Sequence, residues 1–285
     1  MKSLRESLAI YAHPQVRVML FLGFSAGLPF LLVFSTLTAW LAQAGISRAT
    51  IGFFGWVGLT YSVKVFWAPV VDRVPLFWLT RALGRRRSWM LLAQLGIAAG
   101  LLGLAFTDPV TQLTQIALFA VLVAFSSATQ DITIDAFRIE SAPTEFQGGM
   151  AAAYQLGYRI ALITAGAGAL FIAAADGWSV SYQIMAALVG VGMVTALVIT
   201  KPAESLRTSA RNPAEWLEQA IISPFRDFFV RNGVRGALLI LLFIALFRVT
   251  DIAMGVMANP FYLDQGYTLE QIASIAKGLG VIMTI

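Results

Sequence analysis

Seven ionisable side chains lie in stretches of sequence otherwise too apolar to hold them: Lys64, Asp131, Asp135, Arg159, Arg248, Asp251 and Lys277. A charge inside a bilayer is costly unless it pairs or faces water, so such residues mark the paths of ions and polar solutes. Asp131, Asp135 and Arg138 follow i, i+4, i+7 spacing and share one helical face. At about 1.5 Å per residue, Asp131 lies roughly 10 Å inside its apolar block. Lys64 sits at a similar depth and Arg159 somewhat deeper. Two cations and one carboxylate at comparable depth can share a polar cavity, and an anionic substrate group would complete their charge balance. Arg159 therefore reads as substrate-facing, whereas Asp135 and Arg138, nearer the interface, read as a structural ion pair. Arg248 and Asp251 are an i, i+3 pair near mid-block, either on the same pathway or neutralising each other.

The same set suggests proton coupling. A coupling carboxylate must exchange protons near neutral pH, although a solvated Asp titrates near about 3.9. Burial and a neighbouring cation pull such a group in opposite directions. An anionic substrate that occupies Lys64 or Arg159 would loosen their hold on Asp131, so that substrate and proton bind together.

The elements that carry these residues must be membrane helices. Hydrophobic residues make up 58% of the 285-residue chain and charged residues only 12%; soluble domains carry about 25% charged residues. Mean hydropathy is +0.77. The apolar residues fall in blocks near the roughly 20 residues a helix needs to cross a bilayer. These blocks are Val18–Leu41, Ile51–Val71, Trp89–Phe106, Leu113–Ala136, Met150–Ala174, Tyr182–Thr200 and Ala237–Ala258, with an eighth beginning near Leu269. None alternates as a barrel strand does. The fold class is all-α membrane protein.

Net charge is +5, and its distribution excludes nucleic acid as the reason. With the N-terminus in the cytoplasm, Lys2, Arg5, Arg17, Arg73, Arg81 and Arg85–Arg87 fall inside, as do the basic residues of 201–235. Only Arg48 stands in an opposite loop, as the positive-inside rule requires. The first block is too long for a signal-peptide core and should remain as an anchor. Absence of Cys excludes disulfides, thiol catalysis and Cys metal sites. The single His13 reads as a solvated loop residue. HExxH does not occur, and no clustered His or Asp set faces a membrane surface, so neither an enzyme nor a cofactor or metal is expected. A receptor has only the polar segment 201–235 in its favour.

Six blocks, a long polar segment and further blocks divide the chain into a six-helix bundle (1–200), a cytoplasmic linker (201–235) and the start of a second bundle (236–285). Pro213–Ala220 could form a surface helix. The final block stops at Ile285 before it could cross, so the sequence reads as part of a longer protein. Gly166, Gly168, Gly190 and Gly192 could let helices approach and slide. Pro29 should bend or break the first block.

Several runs are familiar. GFSAGLP (Gly23–Pro29), KVFWAPVVDR (Lys64–Arg73), LGRRRSWM (Leu83–Met90), ATQDITIDAFRIE (Ala128–Glu140), YQLGYR (Tyr154–Arg159) and FYLDQGYTLEQIASIAKGLG (Phe261–Gly280) resemble the AmpG-type muropeptide permeases. Those permeases are major facilitator superfamily proteins, in a branch that includes acetyl-coenzyme A transporters. The resemblance implies a six-span N-terminal half followed by the first one to two spans of a C-terminal half. It implies import of GlcNAc-anhydroMurNAc-peptides by proton symport across a bacterial inner membrane, in peptidoglycan recycling and β-lactamase induction. Partners would be a glycopeptide, protons and lipid. An acetyl-coenzyme A carrier is the alternative. Asp72 and Arg73, with Arg85, Arg86 and Arg87, resemble the superfamily's loop between spans two and three. They would act as a cytoplasmic latch on acidic groups or helix C-termini.

Overall fold

The computed structural model of the chain describes residues 10–199, 218 and 222–279, without the side chains at 224, 248, 250–253 and 276–279. All regular structure among these residues is helical. Among the described residues, seven helices are long and apolar enough to cross a membrane. Spans one to six are Pro14–Gln43, Arg48–Phe66, Arg85–Ala105, Leu113–Ser141, Thr144–Asp176 and Trp178–Val198. Span seven belongs to the helix Ser223–Asp264, bent at Gly233 where φ is 65°. The expected linker 201–235 thus overlaps a helix from Ser223 onward. The surface helix expected at Pro213–Ala220 falls outside the described residues, but for residue 218. A short helix, Leu269–Gln271, and a π-helical stretch, Ile272–Leu279, follow span seven.

Span one breaks, but not at Pro29. The helix runs through that proline and is interrupted at Phe34, with φ −113° and ψ −105°. Proline cannot donate to the carbonyl four residues back, which here belongs to Ser25. Gln130 of span four supplies the missing donor, its Nε2 lying 3.0 Å from the Ser25 carbonyl. The backbone group freed by Pro29 is therefore satisfied from outside the helix, as burial in a membrane demands.

Span two is segmented. It tightens into 3₁₀ turns at Gly55–Gly58 and Lys64–Phe66, and a separate helix, Ala68–Arg73, follows. The connection 72–88 contains another helix, Phe77–Leu83. His13 is half-buried, its ring stacked on Phe146 at 4.2 Å, and is not the solvated loop residue its position suggested.

Spans one and five form the tightest pairing. A Cβ added at Gly157 would fall on the Leu20 carbonyl, and one at Gly23 on the Tyr154 carbonyl. Small residues let membrane helices approach backbone to backbone. Of the glycines singled out for sliding, Gly192 meets Ser25 and Gln94, whereas Gly190 faces open space and Gly168 has contacts no nearer than 4.0 Å. Gly157→Ala should therefore lower stability by about 1–3 kcal/mol, the usual cost of overpacking. Gly168→Ala should be neutral. Thermal unfolding of the detergent-purified full-length protein reads both, and equal melting points would remove the steric argument.

Candidate functional site

A cavity of about 570 Å³ opens among spans one, two, four, five and seven. Its polar wall is built by Lys64 and Asp131. Lys64 begins the second 3₁₀ turn of span two, and Trp67 at the end of that turn fixes the segment against span four. The indole Nε1 donates to Thr129 Oγ1 at 3.1 Å, and its ring packs on Phe125 at 4.8 Å. Lys64 Nζ is thereby held 3.7 Å from Asp131 Oδ2, with side-chain exposures of 36% and 20%. Asp131 Oδ1 is buried without a hydrogen-bond partner among the described residues. This is a loose ion pair with one carboxylate oxygen left over. It can take a proton, or release the ammonium to another anion, with little rearrangement.

Another part of the wall is aromatic. Phe30 and Phe34 lie 5.0 Å apart, and Tyr61 packs on both at 5.9 and 6.0 Å. The buried Tyr61 hydroxyl points toward Ser127 without a hydrogen bond of ordinary geometry. Ser35, Tyr158 and Val256 complete the outline.

Next to the cavity lies a buried polar knot. Ser25 Oγ donates to Gln130 Oε1 at 3.0 Å, and Gln94 Nε2 reaches Ser25 Oγ at 3.4 Å. Gln94 and Gln130 are fully buried, and Gln94 Oε1 has no partner among the described residues. Sequence reasoning passed over these residues because it searched for charge. A neutral amide in an apolar span also needs a partner, and that signal was present in the run containing Gln130 and Asp131.

The expected trio is only partly assembled. Lys64 and Asp131 share the cavity, but Arg159 is not among its lining residues, and Tyr158 takes that place. Successive helix positions are rotated by about 100°, so the neighbour of a lining residue faces elsewhere. Asp135 and Arg138 lie 3.8 Å apart and are partly exposed. The side chains of Arg248 and Asp251 lie outside the described residues, though both positions are helical.

At the other charged cluster the residues have unequal roles. Arg86, only 4% exposed, reaches Asp72 at 2.6 Å and grips Glu140 with two nitrogens, at 3.0 and 2.6 Å. Glu140 ends span four, so Arg86 ties three helical segments together. Arg87 donates to the carbonyls of Ala196, at 2.8 Å, and Leu197 at the end of span six. A guanidinium there satisfies orphan carbonyls and meets the negative end of the helix dipole. Arg85 and Arg73 flank this pair, Arg85 opening span three and Arg73 closing the helix after span two.

The sequence profile described as Major Facilitator Superfamily matches residues 19–285. The chain belongs to that superfamily. Among its superfamily relatives is the anhydromuropeptide permease of Escherichia coli, 37% identical over 283 residues, covering 98% of this chain and 55% of that protein. A transporter named AmpG 4 from Rickettsia felis is 36% identical over 93% of the chain and 63% of its own length. The chain spans a little over half the length of these relatives. A solved structure, a bacterial homolog of the human lysosomal transporter Spinster in an inward-facing, unoccupied conformation, superposes with a TM-score of 0.60. At 14% identity over 96% of this chain and 59% of that one, it shares the fold alone.

Proposed function

We propose that this chain is the N-terminal part of a proton-coupled importer of anhydro-muropeptides in a bacterial inner membrane, with its N-terminus in the cytoplasm. The observation that carries this reading is the Lys64–Asp131 pair, half-buried at 3.7 Å with one carboxylate oxygen unpartnered among the described residues, in a cavity that aromatic rings also line. Similarity to the Escherichia coli permease supports the substrate class.

In this mechanism a substrate carboxylate takes Lys64 from Asp131. The carboxylate left behind accepts a proton at Oδ1 or Oδ2, and the site then carries no excess charge through the bilayer. Phe30, Phe34 and Tyr61 give the apolar faces of the sugar or peptide a surface to rest on. Arg159, one residue from the cavity wall, serves as a second cation when span five turns. Asp135 and Arg138 are a structural pair. Arg248 and Asp251 extend the path into the second half, whose bundle begins after the 201–235 linker. Asp72, Arg86 and Arg87, flanked by Arg73 and Arg85, form the latch on the cytoplasmic side.

Vesicles containing the full-length protein should concentrate labelled anhydro-muropeptide, and a protonophore should abolish that accumulation. Labelled acetyl-coenzyme A should not accumulate. Uptake of acetyl-coenzyme A instead would replace the substrate, and accumulation that ignores the protonophore would remove the proton.

A further inference from the structure

Asn259 is wholly buried where the second half of span seven crosses the broken span one. Its Nδ2 donates to the Ser35 carbonyl at 2.5 Å. That carbonyl stands immediately after the interruption at Phe34, and the Thr38 hydroxyl donates to it as well, at 3.2 Å. Ser35 and Ala258 both line the cavity, so the bond lies in the cavity wall. The other amide atom, Asn259 Oδ1, is buried and has no partner among the described residues.

The surroundings make this a joint between two moving parts. Val256 sits over Gly55, and Met257 over Gly52, so bare backbone of span two faces span seven here. Further along, Arg48 and Asp264 form an exposed ion pair at the rim. Leu269, Ile272 and Ala273 pack on Ala167, Leu170 and Ala173 of span five. These contacts gather at one end of span seven; Leu238–Phe247 are exposed.

Superfamily transporters work by rocking one bundle against the other around a central site. A contact that closes one end must therefore hold firmly yet break at little cost. A bond from a side-chain amide to this carbonyl does both. When Asn259 lets go, Ser35 keeps the Thr38 hydroxyl as a donor, so span one loses no essential backbone pairing. Because Oδ1 is unpartnered while the bond is made, the amide regains a hydrogen-bonding partner in water when the end opens.

We propose that Asn259 is the latch that closes the cavity at the end bearing Arg48 and Asp264. The Arg48–Asp264 pair is its outer rim, and Ser35 at the break in span one is its strike plate. The inference rests on superfamily membership and not on the substrate or ion proposed above. Its test needs neither.

Ser62 lines the same cavity, and the chain has no Cys. A full-length protein whose sole cysteine is Ser62→Cys can be labelled with a membrane-impermeant maleimide from the face carrying Arg48 and Asp264. Asn259→Leu keeps nearly the same bulk but removes the donor. It should raise the labelling rate from that face about fivefold, the factor for one ordinary hydrogen bond. Asn259→Ala should do the same, and if it does not reach the membrane the Leu variant decides. Thr38→Val, which removes the other donor to the same carbonyl without touching span seven, should leave the rate unchanged. Parental labelling in an inserted Asn259→Leu protein would overturn the proposal. So would an equal rise with Thr38→Val, since the effect would then belong to the helix break alone.

Discussion

Asp131→Asn in the full-length protein should leave substrate exchange across the membrane intact and reduce accumulation against a gradient to none. The substitution is isosteric, so it opens no void beside Lys64. It removes the group that could carry a proton and leaves the ammonium, which is partly exposed to the cavity and shielded there. Substrate can still meet Lys64, so entry of labelled substrate against unlabelled internal substrate should continue. A proton can no longer accompany it, and the internal concentration should stop at the external one. Both are read from the same vesicles, with and without an imposed pH gradient. If the Asn variant still concentrates substrate in a protonophore-sensitive manner, the coupling carboxylate lies elsewhere, and Asp251 is next in line.

Arg86→Gln should be the most damaging single change in the cluster of Asp72, Arg86, Arg87 and Glu140. Removing one member of a buried ion pair costs about 3–5 kcal/mol, because a charge is left uncompensated. Here two carboxylates would be stranded, Glu140 with 11% of its side chain exposed and Asp72 with 30%. Arg86→Lys should rescue little, since a point charge cannot replace the two-nitrogen grip on Glu140. Combining Arg86→Gln with Glu140→Gln should recover part of the loss, because the partners are directly coupled. Melting temperature and yield of the purified full-length protein measure the series. A double variant no better than Arg86→Gln would show that Glu140 is not the partner that matters.

The membrane class, the number of spans and most of their limits were legible in the sequence, because apolar block length is set by bilayer thickness alone. Equal depth suggested that Lys64 and Asp131 could share a cavity but left open whether Lys64 or Arg159 stands beside the carboxylate; Lys64 does, at 3.7 Å. Helix phase was less legible. Arg159 was assigned to the cavity by depth, but depth does not say which way a residue faces, and Tyr158 faces in. The break at Phe34 was hidden for a different reason. Pro29 carries the local signal for a break, yet a partner more than a hundred residues away absorbs it. Among the glycines, those that matter most, Gly23 and Gly157, were indistinguishable from the rest until their opposing carbonyls were known. Glu140 lay in plain view at the end of span four, but only the fold brings Arg86 to it.

Gln130 has a mechanical consequence beyond repairing the helix at Pro29. It holds span one through a main-chain carbonyl, which no substitution can delete, and through the Ser25 hydroxyl as well. Spans one and four are pinned at that point like two spokes on one hub, and the next residue along span four is Asp131. Any tilt of the bent span is therefore geared to the carboxylate, at a lever arm of a single residue.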